Sequence, residues 1–363
     1  MRTAALAMML LLGGCRTELV EVAECRPDDE FHFLCGVRNP EDVQPLPDGR
    51  WWLASTIRRP GDPPGAIVAF TLDGDHLVTL AGPDAPVAQS TDPIFEANRE
   101  ICPGPLDTGV LEPHGLALMD ADRPTWALLV VNHGGRESVE IYTLEPGDGP
   151  PRIAWAGCVP LPPGLAGNDV IGLPDGGIAV TASSSPRSRV AQAKTLVKLA
   201  LRLTGGEVIE WDHDAGWRPV AGTKAVLPNG LAVSADSRWL FVSDWAAQRI
   251  IRVDRTADGA PASVDVPHHP DNLSWTVSGR LLSTGQIGSI PTTLECFDPT
   301  RDHCGQAWSV GTIDPERLDF HVVAEDDGRA GGAASSAVLA GDTLVIGQWV
   351  GDRIARLRIT DAR

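Results

Sequence analysis

The chain has 363 residues with 38 Gly and 30 Pro, and its 43% hydrophobic content is enough for a packed core and excludes a disordered chain. The length would allow two ordinary domains, yet closed all-β folds run to this size as one unit. A formal net charge of −18 argues against a nucleic-acid partner, because phosphate binding needs clustered Lys and Arg, whereas acidity suits cations.

In chain order, the first feature is Arg2, then an apolar run from Ala4 to Leu12, then Leu12-Gly13-Gly14-Cys15. The run is too short to span a bilayer and carries the flanks of a signal peptide. Leu-Gly-Gly-Cys looks like a bacterial lipoprotein signal, so residues 1–14 are expected to be removed and Cys15 to be lipidated. The other reading is an ordinary cleaved signal, and both export the protein. The expected location is therefore the cell envelope, facing the periplasm or the cell surface, with membrane contact only through the lipid. Residues 15–39 would supply anchor, linker and a closing strand, and residues 40–363 the folded unit.

Export gives the cysteines a meaning. Cys25, Cys35, Cys102, Cys158, Cys296 and Cys304 remain after Cys15, an even number that suggests three disulfides in an oxidising compartment. Sequence allows about 15 pairings. Local closure favours Cys296 with Cys304 and Cys25 with Cys35, which leaves Cys102 with Cys158. No pair shows the two-residue spacing of a zinc knuckle.

From residue 40 onward one unit recurs six times: a polar residue or pair, an apolar strand, a tight turn and a second strand. The stretches are Glu41-Asp42 to Ser55, His114 to His133, Asn168-Asp169 to Thr181, Asn229 to Asp244, Asp271-Asn272 to Thr284, and Ser335-Ser336 to Gly347. Turns are visible at Pro47-Asp48-Gly49, Pro174-Asp175-Gly176, Ala235-Asp236-Ser237 and Ser278-Gly279. Trp126 to Val131, Leu240 to Val242 and Leu344 to Ile346 read as strands covered on both faces. Further strands are expected at Ile250 to Val253 and Arg353 to Ile359. The polar heads lie roughly 42 to 73 residues apart, which fits one propeller blade plus loops of varied length. The expected fold is all-β, a six-bladed β-propeller, closed by a strand near Leu19 to Val22. A β-sandwich or two smaller β domains is the competing architecture.

In a propeller the heads converge on the axis. Glu41, Asp42, Asn168, Asp169, Asn229, Asp271 and Asn272 are all oxygen donors, which favours a hard cation such as calcium over zinc. Any one of them alone reads as a turn or cap residue, and Asn229-Gly230 would by itself be a turn. Neighbours in extended backbone point to opposite sides, so Glu41 and Asn168 can face one ion while Asp42 and Asp169 face a second along the axis. The second unit differs in carrying His114 as its head and His133 at the far end of its return strand, nearly symmetric about the Ala121 to Thr125 turn. A neutral imidazole can take a proton from water while another orients it; two unrelated structural histidines are the plainer reading. Among the 11 Trp, those at 51, 52, 126 and 239 fall on strands and read as core, whereas Trp245 and Trp349 lie just beyond strand ends, near the mouth.

At these residues the chain resembles the serum paraoxonase and arylesterase family, within a propeller superfamily that includes gluconolactonase-like and strictosidine synthase-like relatives. The matching segments are Pro40-Glu41-Asp42, Pro113-His114-Gly115, Leu129 to His133, Asn168-Asp169-Val170, Pro228-Asn229-Gly230-Leu231 and Asp271 to Ser274. They span about two-thirds of the mature chain, in family order. The resemblance implies a catalytic calcium held by Glu41, Asn168, Asn229, Asp271 and Asn272. It implies a structural calcium held by Asp42, Asp169 and the carbonyl of Leu116, and a catalytic dyad of His114 and His133. Two departures stand out: there is no Cys after Cys304 for the family's terminal disulfide, and the Leu281 to Ser289 segment lacks a family histidine near the substrate, with Gln286 in that region. The expected activity is hydrolysis of lactones or aryl esters, small-molecule substrates, with calcium polarising the carbonyl and the histidines activating water. The alternatives are a sugar lactonase of the gluconolactonase type, or a non-enzymatic envelope propeller that uses calcium for rigidity and binds a sugar or protein.

Overall fold

The structure, a computed structural model, describes residues 18–28, 30–92, 95–119, 125–185, 195, 197–257 and 259–359. The signal sequence, Cys15 and most of the Ala121 to Thr125 turn lie outside these residues.

Six sheets make a six-bladed β-propeller. Blade one comprises Pro40–Pro45, Trp51–Thr56, Ala66–Thr71 and Leu77–Ala81. Blade two comprises Pro113–Met119, Trp126–Asn132, Ser138–Glu145 and Arg152–Pro160, with the short parallel strand Ala88–Gln89 added outside. Blade three follows with Leu165–Gly172, Ile178–Ser184, Gly206–Asp212 and Gly216–Pro219. Blade four is Pro228–Val233, Trp239–Asp244, Arg249–Asp254 and Ala262–Asp265, and blade five is His269–Trp275, Leu281–Gln286, Trp308–Ile313 and Phe320–Asp326. Blade six is Ala334–Ala340, Thr343–Gln348 and Arg353–Arg358, completed by Phe31–Cys35 from the N-terminal region. The first strand of each blade is innermost, and these six inner strands touch one another in a closed ring.

The apolar runs follow from this arrangement, since every sheet packs on both faces. Six buried clusters alternate with six blades. Trp51, Leu53 and Ile67 meet Leu128, Val130 and Tyr142 between blades one and two. The other clusters fill the remaining interfaces in turn, ending with Val345 and Ile354 against Val43 and Trp52 between blades six and one. The expected turns close the hairpins in left-handed backbone, with φ of 68° at Gly49, 83° at Gly176, 80° at Gly279 and 60° at Ser237.

The closing strand differs from the sequence expectation. It is Phe31–Cys35, paired antiparallel to Arg353–Arg358 from Phe31↔Leu357 to Cys35↔Arg353, and not Leu19 to Val22. A closing strand must feed two inter-blade cores; Phe31 enters the core between blades five and six and Leu34 the core between blades six and one. Leu19 to Val22 is interrupted by Glu21 and makes only a single bridge, Val20 to Gly305, with Leu19 packed beside Cys296 and Cys304. The three disulfides are Cys25–Cys35, Cys102–Cys158 and Cys296–Cys304, as local closure suggested. The first fixes the closing strand to the segment before it.

Candidate metal centre and active site

In all six blades the inner strand loses register with its neighbour at one place. The shifts fall between Pro40 and Asp42, Pro113 and Leu116, Gly167 and Val170, Pro228 and Leu231, Pro270 and Leu273, and Ala334 and Ser336. Glu41, His114, Asn168-Asp169, Asn229, Asp271-Asn272 and Ser335 fall inside these shifts, and Asp42 and Ser336 are the first residues back on the ladder. A bulge takes residues off the ladder and re-aims their side chains, so an inner strand can present adjacent residues to the axis at its point of closest approach. The amides freed from the ladder find side-chain acceptors: Asp42 N–H donates to Ser55 Oγ at 3.2 Å and Asp169 N–H to Thr181 Oγ1 at 3.0 Å. Glycine is required where inner strands crowd. A Cβ at Gly115 would lie 2.6 Å from Asp169 Oδ1, and one at Gly230 would lie 2.3 Å from the Asp271 carbonyl oxygen. Asn229-Gly230 is thus no hairpin turn; its glycine admits the next blade.

The heads divide along the axis as the alternation implied. Glu41, His114, Asn168, Asn229 and Asp271 face a cleft of ≈ 300 Å³ at the N-terminal ends of the inner strands. Asp42, Leu116, Asp169 and Asn272 line a second cavity of ≈ 320 Å³ that continues toward the C-terminal ends. Asn272 therefore sits between the two levels, and its Nδ2 donates to Glu41 Oε1 at 2.9 Å.

The electrostatics of this ring are unusual. Glu41, Asp42, Asp169 and Asp271 are all buried, and none forms an ion pair with Lys or Arg among the described residues; His114 Nε2 lies 3.6 Å from Glu41 Oε1. Burial, then the charges of Asp271, Asp42 and Asp169, push the Glu41 carboxyl well above its ordinary range. Burial, then Asp42, does the same to Asp169. Burial raises Asp42 and Asp271 to about 7 each. Backbone donors hold Asp42 and Asp169 in place: Leu116 N–H donates to Asp42 Oδ2 at 2.8 Å, and Val170 and Leu231 N–H donate to the two oxygens of Asp169 at 2.7 Å each.

The donor set fits a hard cation. Asn168 and Asn272 place their amide nitrogens on acceptors, and Asn229 hydrogen-bonds Asp271. The three amide oxygens, with Glu41 Oε2, are buried and have no hydrogen-bond partner. Buried oxygens without donors, on a ring of uncompensated carboxylates, match the ligand chemistry of calcium. Among the described residues no three His, Cys, Asp or Glu form a metal cluster by themselves, so the amides are integral to the set.

The two histidines meet. His114 Nδ1 lies 3.0 Å from His133 Nε2, with the rings edge to face, and His133 Nδ1 lies 2.8 Å from Glu137 Oε2. They are not a direct cross-strand pair: Pro113 opposes Asn132, and His114 reaches His133 from its bulge. A carboxylate only accepts, which puts a proton on His133 Nδ1, makes His133 Nε2 the acceptor of His114 Nδ1–H, and leaves His114 Nε2 as a lone pair facing Glu41 and Asn168. Burial, then His133, moves His114 down to about 3 and keeps it neutral.

Further residues, of which Glu137 had no signal in the sequence, complete the site. Glu137 anchors the dyad. Ser335 and Ser336, whose chemistry the repeat left open, donate to the Glu41 carbonyl at 2.5 and 2.8 Å and fix that strand rather than supply axial donors. The cleft wall is apolar, built from Ile57, Leu199, Leu227, Ile290, Leu294 and Phe297 with Trp245 and Trp349, the two tryptophans placed at the mouth by sequence. Part of that wall is the helix Ile290–Glu295, capped by Ser289 Oγ accepting from Thr292 N–H and followed by the Cys296–Cys304 bridge. Ser289 as cap with Pro291 in the first turn was a legible helix start.

No protein-family model and no curated protein matches the chain. Solved structures do. A luciferin-regenerating enzyme superposes with a TM-score of 0.54 at 11% identity, over 91% of this chain and 93% of that one. A gluconolactonase from Xanthomonas campestris gives 0.51 at 17% identity, over 96% and 99%. A calcium-binding regucalcin from Agrobacterium tumefaciens gives 0.50 at 12% identity, over 94% and 97%. At such identities these likenesses establish the propeller fold alone.

Proposed function

We propose that the chain is an exported calcium-dependent hydrolase of lactones or aryl esters, anchored by lipid at Cys15. The observation that carries this reading is the meeting, at the floor of one apolar cleft, of a carboxylate and amide ring with no Lys or Arg partner among the described residues and a neutral His114 whose lone pair faces that ring. Glu41, Asn168, Asn229, Asp271 and Asn272 would hold one cation, and Asp42, Asp169 and the Leu116 carbonyl a second. When bound, the first supplies Lewis-acid polarisation of a carbonyl and offsets the charge that develops on its oxygen.

The chain's own residues do the rest. The wall of Ile290, Leu294, Phe297 and Trp349 takes the apolar body of a substrate and excludes water from it. His114 Nε2 accepts the proton of an attacking water, and the positive charge this creates spreads through Nδ1 to His133 and is held by Glu137. Attack by water on the ester carbonyl breaks the acyl–oxygen bond, and the proton from His114 returns to the departing alkoxide. The apolar wall favours aryl or long-chain lactone substrates over sugar lactones. The gluconolactonase found among the structural neighbours keeps that second reading open to the same assay.

The test is a panel of aryl esters, alkyl lactones and sugar lactones assayed with calcium and with EGTA. Calcium-dependent turnover lost in His114→Gln is expected. Folded, calcium-loaded protein that hydrolyses none of them would leave the binding reading in its place. Globomycin-sensitive processing and labelling at Cys15 tests the anchor.

A further inference from the structure

Gln286, at the end of the second strand of blade five, is fully buried and has every polar atom engaged. Its Nε2 donates to Asp271 Oδ2 and to the Ala334 carbonyl, each at 2.7 Å, and its Oε1 accepts from Trp245 Nε1–H at 2.8 Å. The amide has one possible orientation, because an indole N–H only donates while carboxylate and carbonyl only accept. One side chain thus ties the inner strands of blades five and six to the Trp245–Ala247 turn between the second and third strands of blade four. Trp245 is itself fixed, its ring stacked on His269 at 4.5 Å and its carbonyl 2.8 Å from His269 Nδ1. The same indole forms part of the cleft wall.

We propose that Gln286 is a positioning residue for Asp271, and that the Asp271, Gln286, Trp245 chain sets the cleft wall and the axial donor ring together. The proposal rests on the cation reading of the axial site. Gln286 occupies one oxygen of Asp271 and so turns the other toward the axis; Trp245 in turn prevents Gln286 from rotating. A change in the pull on Asp271 is transmitted by two hydrogen bonds to the indole, so the wall against which a substrate lies reports the state of the ring. The coupling is reciprocal, since any equilibrium linkage must be. Outer partners of this kind commonly govern metal affinity by about 10- to 100-fold.

The experiment is calorimetric titration of the full chain with calcium alone, in wild type, Trp245→Phe, Gln286→Leu and the double variant, alongside tryptophan emission. Trp245→Phe keeps an aromatic ring beside His269 and removes the indole donor together with part of the ring surface. Gln286→Leu is expected to weaken calcium binding about tenfold and Trp245→Phe severalfold, and the double variant should match Gln286→Leu, because the chain is already cut. Calcium should shift wild-type emission; Trp245→Phe, which removes the reporting indole, identifies the shift as that of Trp245, and Gln286→Leu, which keeps the indole, should abolish it. Unaltered affinities in folded variants, or single effects that add in the double, would overturn the proposal. If Gln286→Leu fails to fold, Gln286→Asn takes its place in the cycle. Wild type that binds no calcium overturns the axial reading and this inference with it, whereas wild type that binds calcium beside unchanged variants overturns this inference alone.

Discussion

Asp42→Asn is expected to stabilise the calcium-free protein and to destabilise it relative to wild type once calcium is present. Asp42 is buried without a cationic partner among the described residues, and burial raises its carboxyl from 3.8 to about 7. Between those values the folded state holds a proton that the unfolded state has released, so stability falls as pH rises from 3.8 to about 7 and is level above. The displacement is worth on the order of 4 kcal/mol. Asn is close in shape, and its oxygen can still accept from Leu116 N–H, so the substitution removes the charge while keeping that bond, at the loss of at most the contact from Val43 N–H. In EGTA at about pH 8 the variant should therefore exceed wild type by up to about 4 kcal/mol in urea denaturation, and the difference should vanish near pH 4. Calcium reverses the order: each tenfold excess over its Kd adds about 1.4 kcal/mol to the wild type, and much less to a variant lacking a donor. A variant less stable than wild type at every pH in EGTA, or a wild type indifferent to calcium, would refute the electrostatic reasoning.

Other consequences are open to direct measurement. His114→Gln should lower kcat by about 100- to 10,000-fold with calcium affinity little changed. Because burial and His133 keep His114 down at about 3, the wild-type rate should show no His114 inflection near 6.5; one that His114→Gln abolishes would contradict this. Ser335→Ala and Ser336→Ala each remove one donor to the Glu41 carbonyl, for a loss of about 1 kcal/mol apiece by thermal or urea unfolding. Gly230→Ala forces a Cβ to within 2.3 Å of the Asp271 carbonyl oxygen, and a loss of at least about 1–3 kcal/mol in the same assay is expected. Removing Cys102–Cys158, which closes 56 residues, should cost on the order of 4 kcal/mol, more than either shorter bridge.

The propeller was legible because its signal is periodic. Short apolar runs with polar heads recurred at one position, and that position is a bulge in all six inner strands. The residues that line the axis were legible for the same reason, and the two cavities follow from adjacent residues facing different levels. What escaped sequence were contacts between chain-distant residues that share no periodicity. Glu137 is one of many surface-compatible acids until His133 is placed beside it. The closing strand was misplaced because two weak candidates precede residue 40, and only the demand for apolar residues on both faces separates Phe31–Cys35 from Leu19 to Val22.

The bulge also explains why the ring can carry so many carboxylates. On a regular strand alternate residues face one side, so one strand offers the axis a single donor at a given height. Displacing two residues from the ladder lets Asn168-Asp169 and Asp271-Asn272 supply neighbouring levels from a single strand, at the cost of freed backbone amides. The chain meets that cost locally, with Thr181 for Asp169, Ser55 for Asp42 and, from the next blade, Asp169 for Leu231 N–H. Asp169 thereby joins adjacent blades through its oxygens while standing in the donor ring. Its replacement should disturb blade packing and cation affinity together. Asp169→Asn should therefore lose stability even with calcium withheld, because Asp169 uses both oxygens as backbone acceptors and an amide can replace only one.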